Sequence, residues 1–169
     1  MLTRRALPLA LVGVAWDLRA AEAAALPSRE LFTLGRSKNK NVVKYAVRTT
    51  RDGQLDHGEP VEAYWLMLAE NGRREGLTWT EQKLAYGFSV SKLTSESLSL
   101  HLTACPAREL RVRGAEGGYR AELMIAGQAA FLRRIFVRTE EGLLMPRVLY
   151  VEITGTNAAG QPVSERVAP

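Results

Sequence analysis

The feature that most constrains the fold is a series of short alternating segments, separated by glycine turns, over residues 97–138. In residues 97–103, Leu98, Leu100 and Leu102 alternate with serine, histidine and threonine, which is typical of a strand with one buried face and one wet face. Residues 109–113 and the stretch after the glycines at 114, 117 and 118 repeat this alternation. Short strands joined by close glycine turns predict an antiparallel meander.

Further strand patterns lie on both sides of this meander. Apolar residues alternate with polar ones before it, as in Val43, Tyr45 and Val47, and again after it in residues 148–154 and 163–167. We expect about nine or ten strands in one mainly β domain, because the pattern lacks the alternation of strands and long helices that marks an α/β fold. An antiparallel β-sandwich and a flattened barrel both fit this pattern.

One segment predicts a strand followed by the only helix. Residues 61–69 are apolar on both faces, which predicts a central strand covered on both sides. Thr78 precedes Glu81 by three residues, the spacing of a capping box, so a short helix is expected over residues 79–86. Gly87 suits a left-handed position at its end. We expect this helix to pack on one side of the sheet.

The N-terminal 25 residues predict a secretory signal peptide. Thr3-Arg4-Arg5 is a short basic head, residues 6–16 are apolar, and small residues fill positions 20–25. The apolar run is too short for an ordinary transmembrane helix. We expect residues 1–25 to be removed and residues 26–169 to form a single exported domain, periplasmic or secreted and not transmembrane. General export and the twin-arginine route both stay open, as does a cytosolic amphipathic leader.

Composition argues against several chemistries. The single cysteine, Cys105, excludes an internal disulfide, and the two histidines stand at no ligand spacing, so neither a metal nor another cofactor is expected. The net charge of +5 is spread among 18 acids without a basic stripe, so we expect no nucleic-acid partner. A carboxylate pair of the glycosidase type stays open among Glu62, Glu70, Glu81 and Glu152.

The first candidate binding group lies in the loop after the first strand. Arg36, Ser37, Asn39 and Asn41 place a guanidinium, a hydroxyl and two amides within six residues. Such groups suit a polar or anionic ligand, because arginine offers a planar fork of donors and asparagine both donates and accepts. The alternative is a loop in which the asparagines bond to their own backbone and hold a turn.

The second candidate group lies on the predicted helix. Trp79 and Tyr86 are seven residues apart, with Lys83 between them on the same α-helical face. An ammonium group flanked by aromatic rings suits a sugar platform or a desolvated amine. The opposite face carries Leu84 and Phe88, so one face is expected to be core and the other exposed. The alternative is that the aromatics pack on the sheet while Lys83 extends to water.

Two adjacent arginines break a strand pattern. Arg133 and Arg134 stand in an otherwise apolar segment, so strict alternation places one of them on the buried face unless a bulge intervenes. A buried arginine needs a carboxylate, and Glu81 and Glu152 are the expected partners.

Five segments resemble the hallmarks of a bacterial family catalogued as domain of unknown function number 4833. They are LFTLGRSKNKNVV at residues 31–43, EPVEAYW at 59–65, LTWTEQKLAYGF at 77–88, LRRIFV at 132–137 and VLYVEITG at 148–155. The resemblance spans nearly all of the expected mature chain. It implies a single exported domain and brings no activity, ligand or catalytic residue with it.

Two functions follow as hypotheses. The favoured one is a non-enzymatic exported domain that binds an envelope partner or a small polar ligand. The alternative is a small periplasmic enzyme of the hydrolase type that acts on a polar or anionic envelope substrate. In that case Arg36, Asn39, Asn41, Glu70 and Lys83 are expected to share a cleft.

Overall fold

The computed structural model describes residues 29–140 and 147–168, so the predicted signal peptide lies outside the described residues. The described chain forms eleven strands, one 3-10 turn at Leu68–Glu70 and a short helix, which is α-helical at Trp79–Glu81 and π-helical at Gln82–Tyr86. The strands are β1 (Glu30–Arg36), β2 (Val42–Val47), β3 (Val61–Met67), β4 (Arg73–Gly76), β5 (Phe88–Leu93), β6 (Ser97–Leu102), β7 (Cys105–Ala115), β8 (Gly118–Ile125), β9 (Gln128–Glu140), β10 (Arg147–Thr156) and β11 (Pro162–Val167).

The strands form one curled sheet in the order β4-β3-β2-β1-β9-β8-β7-β6-β5, and β10 and β11 branch from β9. Strand β9 is the junction, because residues 128–131 pair with β8, residues 134–137 pair with β1, and residues 131–140 pair with β10. The predicted mainly β fold and the antiparallel meander from β5 to β11 are confirmed. The sheet is nevertheless mixed, since β1 and β9 run parallel.

The core lies on the concave face of this sheet. Phe32 and Tyr45 stack there with ring centroids 4.4 Å apart, and both are buried. The apolar half of the alternation in β6 and β8 is confirmed, because Leu98, Leu100 and Leu102 are buried, as are the matching residues of β8. The periodicity of the sequence therefore assigned the inward faces of these strands correctly. Ser99, expected on the wet face of β6, is buried as well.

The prediction that residues 61–69 form a central strand is wrong. Strand β3 lies second from one end of the sheet, beside β4, and its residues after Val61 are only half-buried. Strand β4 reads Arg-Arg-Glu-Gly and resembles a turn in sequence. Charged residues are typical of edge strands, where they discourage pairing with other chains. The middle of the sheet is occupied by β1 and β9 instead.

The expectation of a buried arginine with a carboxylate partner is also wrong. The pairing of β9 with β10 shifts between Arg134–Thr154 and Leu132–Gly155, so a bulge lies at Arg133. The extra residue turns both arginines outward, and both are exposed. The guanidinium of Arg134 lies 4.8 Å from the ring centre of Phe136. Neither arginine forms an ion pair with a carboxylate of the described residues.

The start of the helix follows the prediction and its end does not. Thr78 and Glu81 form the capping box, with the Thr78 amide donating to Glu81 Oε2 at 2.8 Å and the Glu81 amide donating to Thr78 Oγ1 at 3.3 Å. Gly87 is extended, with φ −74° and ψ 177°, rather than left-handed. A Cβ at Gly87 would lie 2.0 Å from the carbonyl oxygen of Gln82, so glycine is required by close approach. No helix in the described parts is long and apolar enough to cross a membrane.

Candidate functional site

The short helix is fixed to the concave face of the sheet by three contacts. Glu81 Oε1 accepts a hydrogen bond from the Trp65 indole at 2.9 Å, and the Tyr86 ring meets Trp65 edge-on with centroids 5.1 Å apart. The buried Tyr45 hydroxyl donates to the Tyr86 carbonyl at 2.8 Å, and burial raises the Tyr45 pKa. Desolvation opposes ionisation of Glu81, but hydrogen bonds from Thr78 and Trp65 outweigh it and lower the Glu81 pKa.

The sequence predicted that Trp79, Lys83 and Tyr86 share one face of the helix, and the structure separates Tyr86 from the other two. Trp79 is 72% exposed, and the Lys83 ammonium lies 5.2 Å from its ring centre. Tyr86 instead belongs to the core. Because the residues from Gln82 onward are π-helical, with more residues per turn than an α-helix, Tyr86 is rotated away from Trp79. Leu84, predicted for the opposite face, is 72% exposed as well.

Trp79 and Lys83 border an open cleft of about 760 Å³ between β3 and β5. One wall is the first half of β3, where Val61 lies, and the other is β5, where Phe88 and Val90 lie. The helix contributes Trp79, Gln82 and Lys83. We call this space the β3–β5 cleft.

A backbone hydrogen bond joins the two sides of the β3–β5 cleft. At one end the loop of residues 48–60 reaches across to the β5–β6 turn, and the Leu55 amide donates to the Ser95 carbonyl at 3.2 Å. The Thr103 amide donates to the Gly87 carbonyl at 2.9 Å, which extends the β5–β6 ladder by one pair on the β5 side of the cleft. The loop of residues 48–60 therefore bridges the cleft, and the helix lines it.

The charges around the β3–β5 cleft are mostly neutralised. Arg48 forms an ion pair with Glu59, and Glu62 accepts a hydrogen bond from Arg74 at 2.8 Å. Lys83 is the exception, because no carboxylate of the described residues pairs with it. The rim therefore presents one ammonium group beside an exposed indole.

The first predicted group, in the β1–β2 loop, is used mainly to build the loop. Ser37 is buried, its hydroxyl donates to the Thr139 carbonyl at 3.0 Å, and the Thr139 amide donates back to Ser37 Oγ at 2.8 Å. Asn39 Oδ1 accepts the Asn41 amide at 2.9 Å, which is the backbone-bonded alternative. Asn41 Oδ1 is buried without a partner among the described residues. Arg36 is the last residue of β1 and is half-buried.

The predicted residues do not converge on one cleft. Lys83 lines the β3–β5 cleft, whereas Arg36, Asn39 and Asn41 do not line it. Glu70 lies at the β3–β4 turn, where it forms an ion pair with Arg73 at 2.7 Å. The shared cleft that the hydrolase hypothesis requires is therefore not formed by these residues. Among the described residues no group of three histidine, cysteine or acidic side chains is placed to hold a metal ion.

Sequence reasoning missed the two strand edges that line the cleft. Phe88 and Val90 of β5 and Val61 of β3 are far apart in sequence, and only the curl of the sheet brings their strands to one gap. The one available signal was Trp79, a large aromatic residue close to the polar start of a helix. The cleft residues therefore depend on topology rather than on any local motif.

Fold and site together define a mainly β domain, built on one curled mixed sheet that leaves an open cleft between β3 and β5. The family model "Domain of unknown function (DUF4833)" matches residues 32–166, and the chain belongs to this family. The matched range runs from the first strand to the last, so the cleft lies within it. No match was found among curated proteins or among solved structures.

Proposed function

We propose that this protein is an exported, non-enzymatic binding domain whose recognition site is the β3–β5 cleft. The observation that carries the proposal is Trp79, which stands 72% exposed at the rim of the cleft. Burying apolar surface contributes about 25 cal/mol per Å² to stability, so the exposed indole of Trp79 does not give the fold the stabilisation that its burial would. Exposed tryptophans beside a cleft are frequent anchors of binding.

The chemistry of the rim favours a polar ligand with one flat apolar side. The Trp79 ring offers a stacking surface, and Lys83 and Gln82 offer donors next to it. Because Lys83 lacks a carboxylate partner among the described residues, an acidic group on the ligand would complete the charge balance. Export is supported by the basic head and apolar run of residues 1–25.

The helix offers a matched pair of variants for testing this proposal. Trp79 and Leu84 have the same exposed fraction, 72%, but only Trp79 lines the cleft. The purified protein is screened by thermal shift against muropeptides, neutral and acidic oligosaccharides, anionic phospholipid headgroups and a random peptide pool, and hits are titrated by calorimetry. Neither W79A nor L84A should change the free energy of unfolding by more than about 0.5 kcal/mol.

We expect W79A to weaken binding of each cleft ligand at least tenfold and L84A to leave it unchanged. Two results contradict the proposal. One is a panel in which no compound binds the wild-type protein. The other is a ligand that binds W79A as tightly as the wild-type protein, since its site would then lie elsewhere.

A further inference from the structure

We propose that the occupant of the β3–β5 cleft is an extended polypeptide segment that adds a strand to the free edge of β5. This proposal rests on the proposed function and names the class of its ligand. Strand β5 is the last strand at its end of the sheet, and within the described chain it pairs only with β6. Its other edge faces the cleft at Phe88 and Val90.

The opposite wall of the cleft is also an unpaired strand edge. Strand β4 pairs with residues 64–67 of β3 and stops there, so residues 61–63 pair only with β2 among the described strands. Alternate residues of a strand direct their N–H and C=O groups to each edge. Both long walls of the gap therefore present backbone donors and acceptors to an incoming strand, which is the basis of recognition by strand addition.

The other free edges carry features that discourage pairing, and the cleft edge does not. Strand β4 is made of charged residues and glycine. Strand β11 begins with Pro162 and carries a charged pair near its end. In β5 itself a register shift follows Val90, and Lys92 comes directly after it. Edge charges, prolines and bulges are the usual protection against strand addition. Residues 88–90 (Phe-Ser-Val) have none of them.

The walls of the cleft favour an isolated strand over a second copy of this chain. The helix ends at Tyr86, just before residues 88–90, and the loop of residues 48–60 contacts Ser95, beyond the end of β5. A short extended segment is one strand wide and fits between the helix and the loop. The edge of a folded copy would bring its own sheet against the helix and the loop.

The side chains around the edge indicate the sequence that such a segment carries. Successive side chains of a strand point to opposite faces, so one set contacts Phe88 and Trp79 and the other points outward. The contacting set is therefore apolar at every second position. An acidic residue at one end would meet Lys83, the rim cation that lacks a carboxylate partner in the described chain. Three edge residues span about 10 Å, so a segment of about five residues is enough.

The test is selection of a random dodecapeptide phage library on the immobilised protein. Enriched peptides are synthesised, and their affinity is measured by fluorescence anisotropy for wild type, V90K and L149K. Val90 and Leu149 have nearly equal exposure, 39% and 38%, but Leu149 lies on β10 and does not line the cleft. Circular dichroism and thermal unfolding verify that both variants are folded.

We expect enriched peptides with apolar residues at alternate positions, at least tenfold weaker binding to V90K, and unchanged binding to L149K. N-methylation of the alternate backbone amides that face β5 should abolish binding, and methylation of the other set should weaken binding less, because the proposed strand pairs with β5. This second measurement needs no protein variant, so it decides the question even if V90K does not fold.

Three results overturn the proposal. The first is a selection without enrichment. The second is binding that neither V90K nor N-methylation affects, because side chains alone would then be recognised. The third is a concentration-dependent dimer that V90K dissociates, which would make a second copy the occupant. An oligosaccharide or lipid headgroup that binds in a Trp79-dependent manner without any peptide binding refutes strand addition but leaves the proposed binding function intact.

Discussion

The close approach at Gly87 makes a sharp prediction about the end of the helix. The backbone of Gly87 is extended, a conformation open to any residue, so alanine introduces no backbone strain there. The added methyl would instead lie 2.0 Å from the Gln82 carbonyl oxygen and 3.1 Å from Thr103 Oγ1. Favourable contact between non-bonded atoms begins near 3.5 Å, so the chain must move by about 1.5 Å.

The expected loss of stability follows from what this movement disrupts. The clashing oxygen belongs to the backbone, so a change of side-chain rotamer does not relieve it. Overpacking of this kind costs about 1–3 kcal/mol. The movement also strains the hydrogen bond from the Thr103 amide to the Gly87 carbonyl, which contributes about 1 kcal/mol. We therefore expect G87A to lower the free energy of unfolding by about 2–4 kcal/mol.

The matched control is G114A on β7. A Cβ at Gly114 meets no atom within 4 Å, and its φ is not positive. Alanine there should be neutral or stabilise by about 0.5 kcal/mol, because it reduces the entropy of the unfolded chain. Urea unfolding followed by circular dichroism gives both values. Equal stability of G87A and G114A would refute the close approach of Gly87 to the Gln82 carbonyl.

Three further changes test other parts of the structure. S37A should cost about 1–3 kcal/mol in urea unfolding, because it leaves the buried Thr139 amide without its acceptor; a neutral result would mean that this amide finds another partner. T78A should cost about 1 kcal/mol by removing the helix cap, and loss of unfolding cooperativity instead would contradict a local role. Hydrogen bonds from Arg108 lower the Glu165 pKa to about 2. A carboxylate whose folded pKa lies below its ordinary 4.5 stabilises the protein above that pH and loses this contribution as the pH falls toward 2. E165Q should therefore flatten the pH dependence of the unfolding temperature across this range, and an unchanged slope would exclude Glu165 as its source.

The elements that were predicted correctly depend on short-range physics. The capping box of Thr78 and Glu81 requires only a hydroxyl and a carboxylate three residues apart, and both bonds form. In β6 and β8, the alternation of apolar residues is enough to predict which face of the strand is buried. The backbone-bonded alternative for Asn39 is equally local, because its amide oxygen bonds two residues ahead.

The features that were missed depend on contacts between distant segments. The bulge at Arg133 is set by the register of β9 on β10, and the parallel pairing of β1 with β9 joins residues about a hundred positions apart. The π-helical turn that separates Tyr86 from Trp79 leaves no motif in the sequence. In the sequence, Gly87 looks like the glycine of an ordinary helix end, although the structure needs it for a close contact with this turn. The β3–β5 cleft could not be predicted for the same reason, since its walls depend on the curl of the sheet and on where β4 stops along β3.

Amide hydrogen exchange of the protein with and without its tightest panel ligand tests the central claim most directly. The claim is that recognition occurs in the β3–β5 cleft. It predicts slower exchange on binding in residues 61–63 and 88–90 and in the short helix, with β7, β8 and β10 unchanged. Slowing confined to the outer strands β10 and β11, or to the β1–β2 loop, would contradict it and place the binding site on another surface.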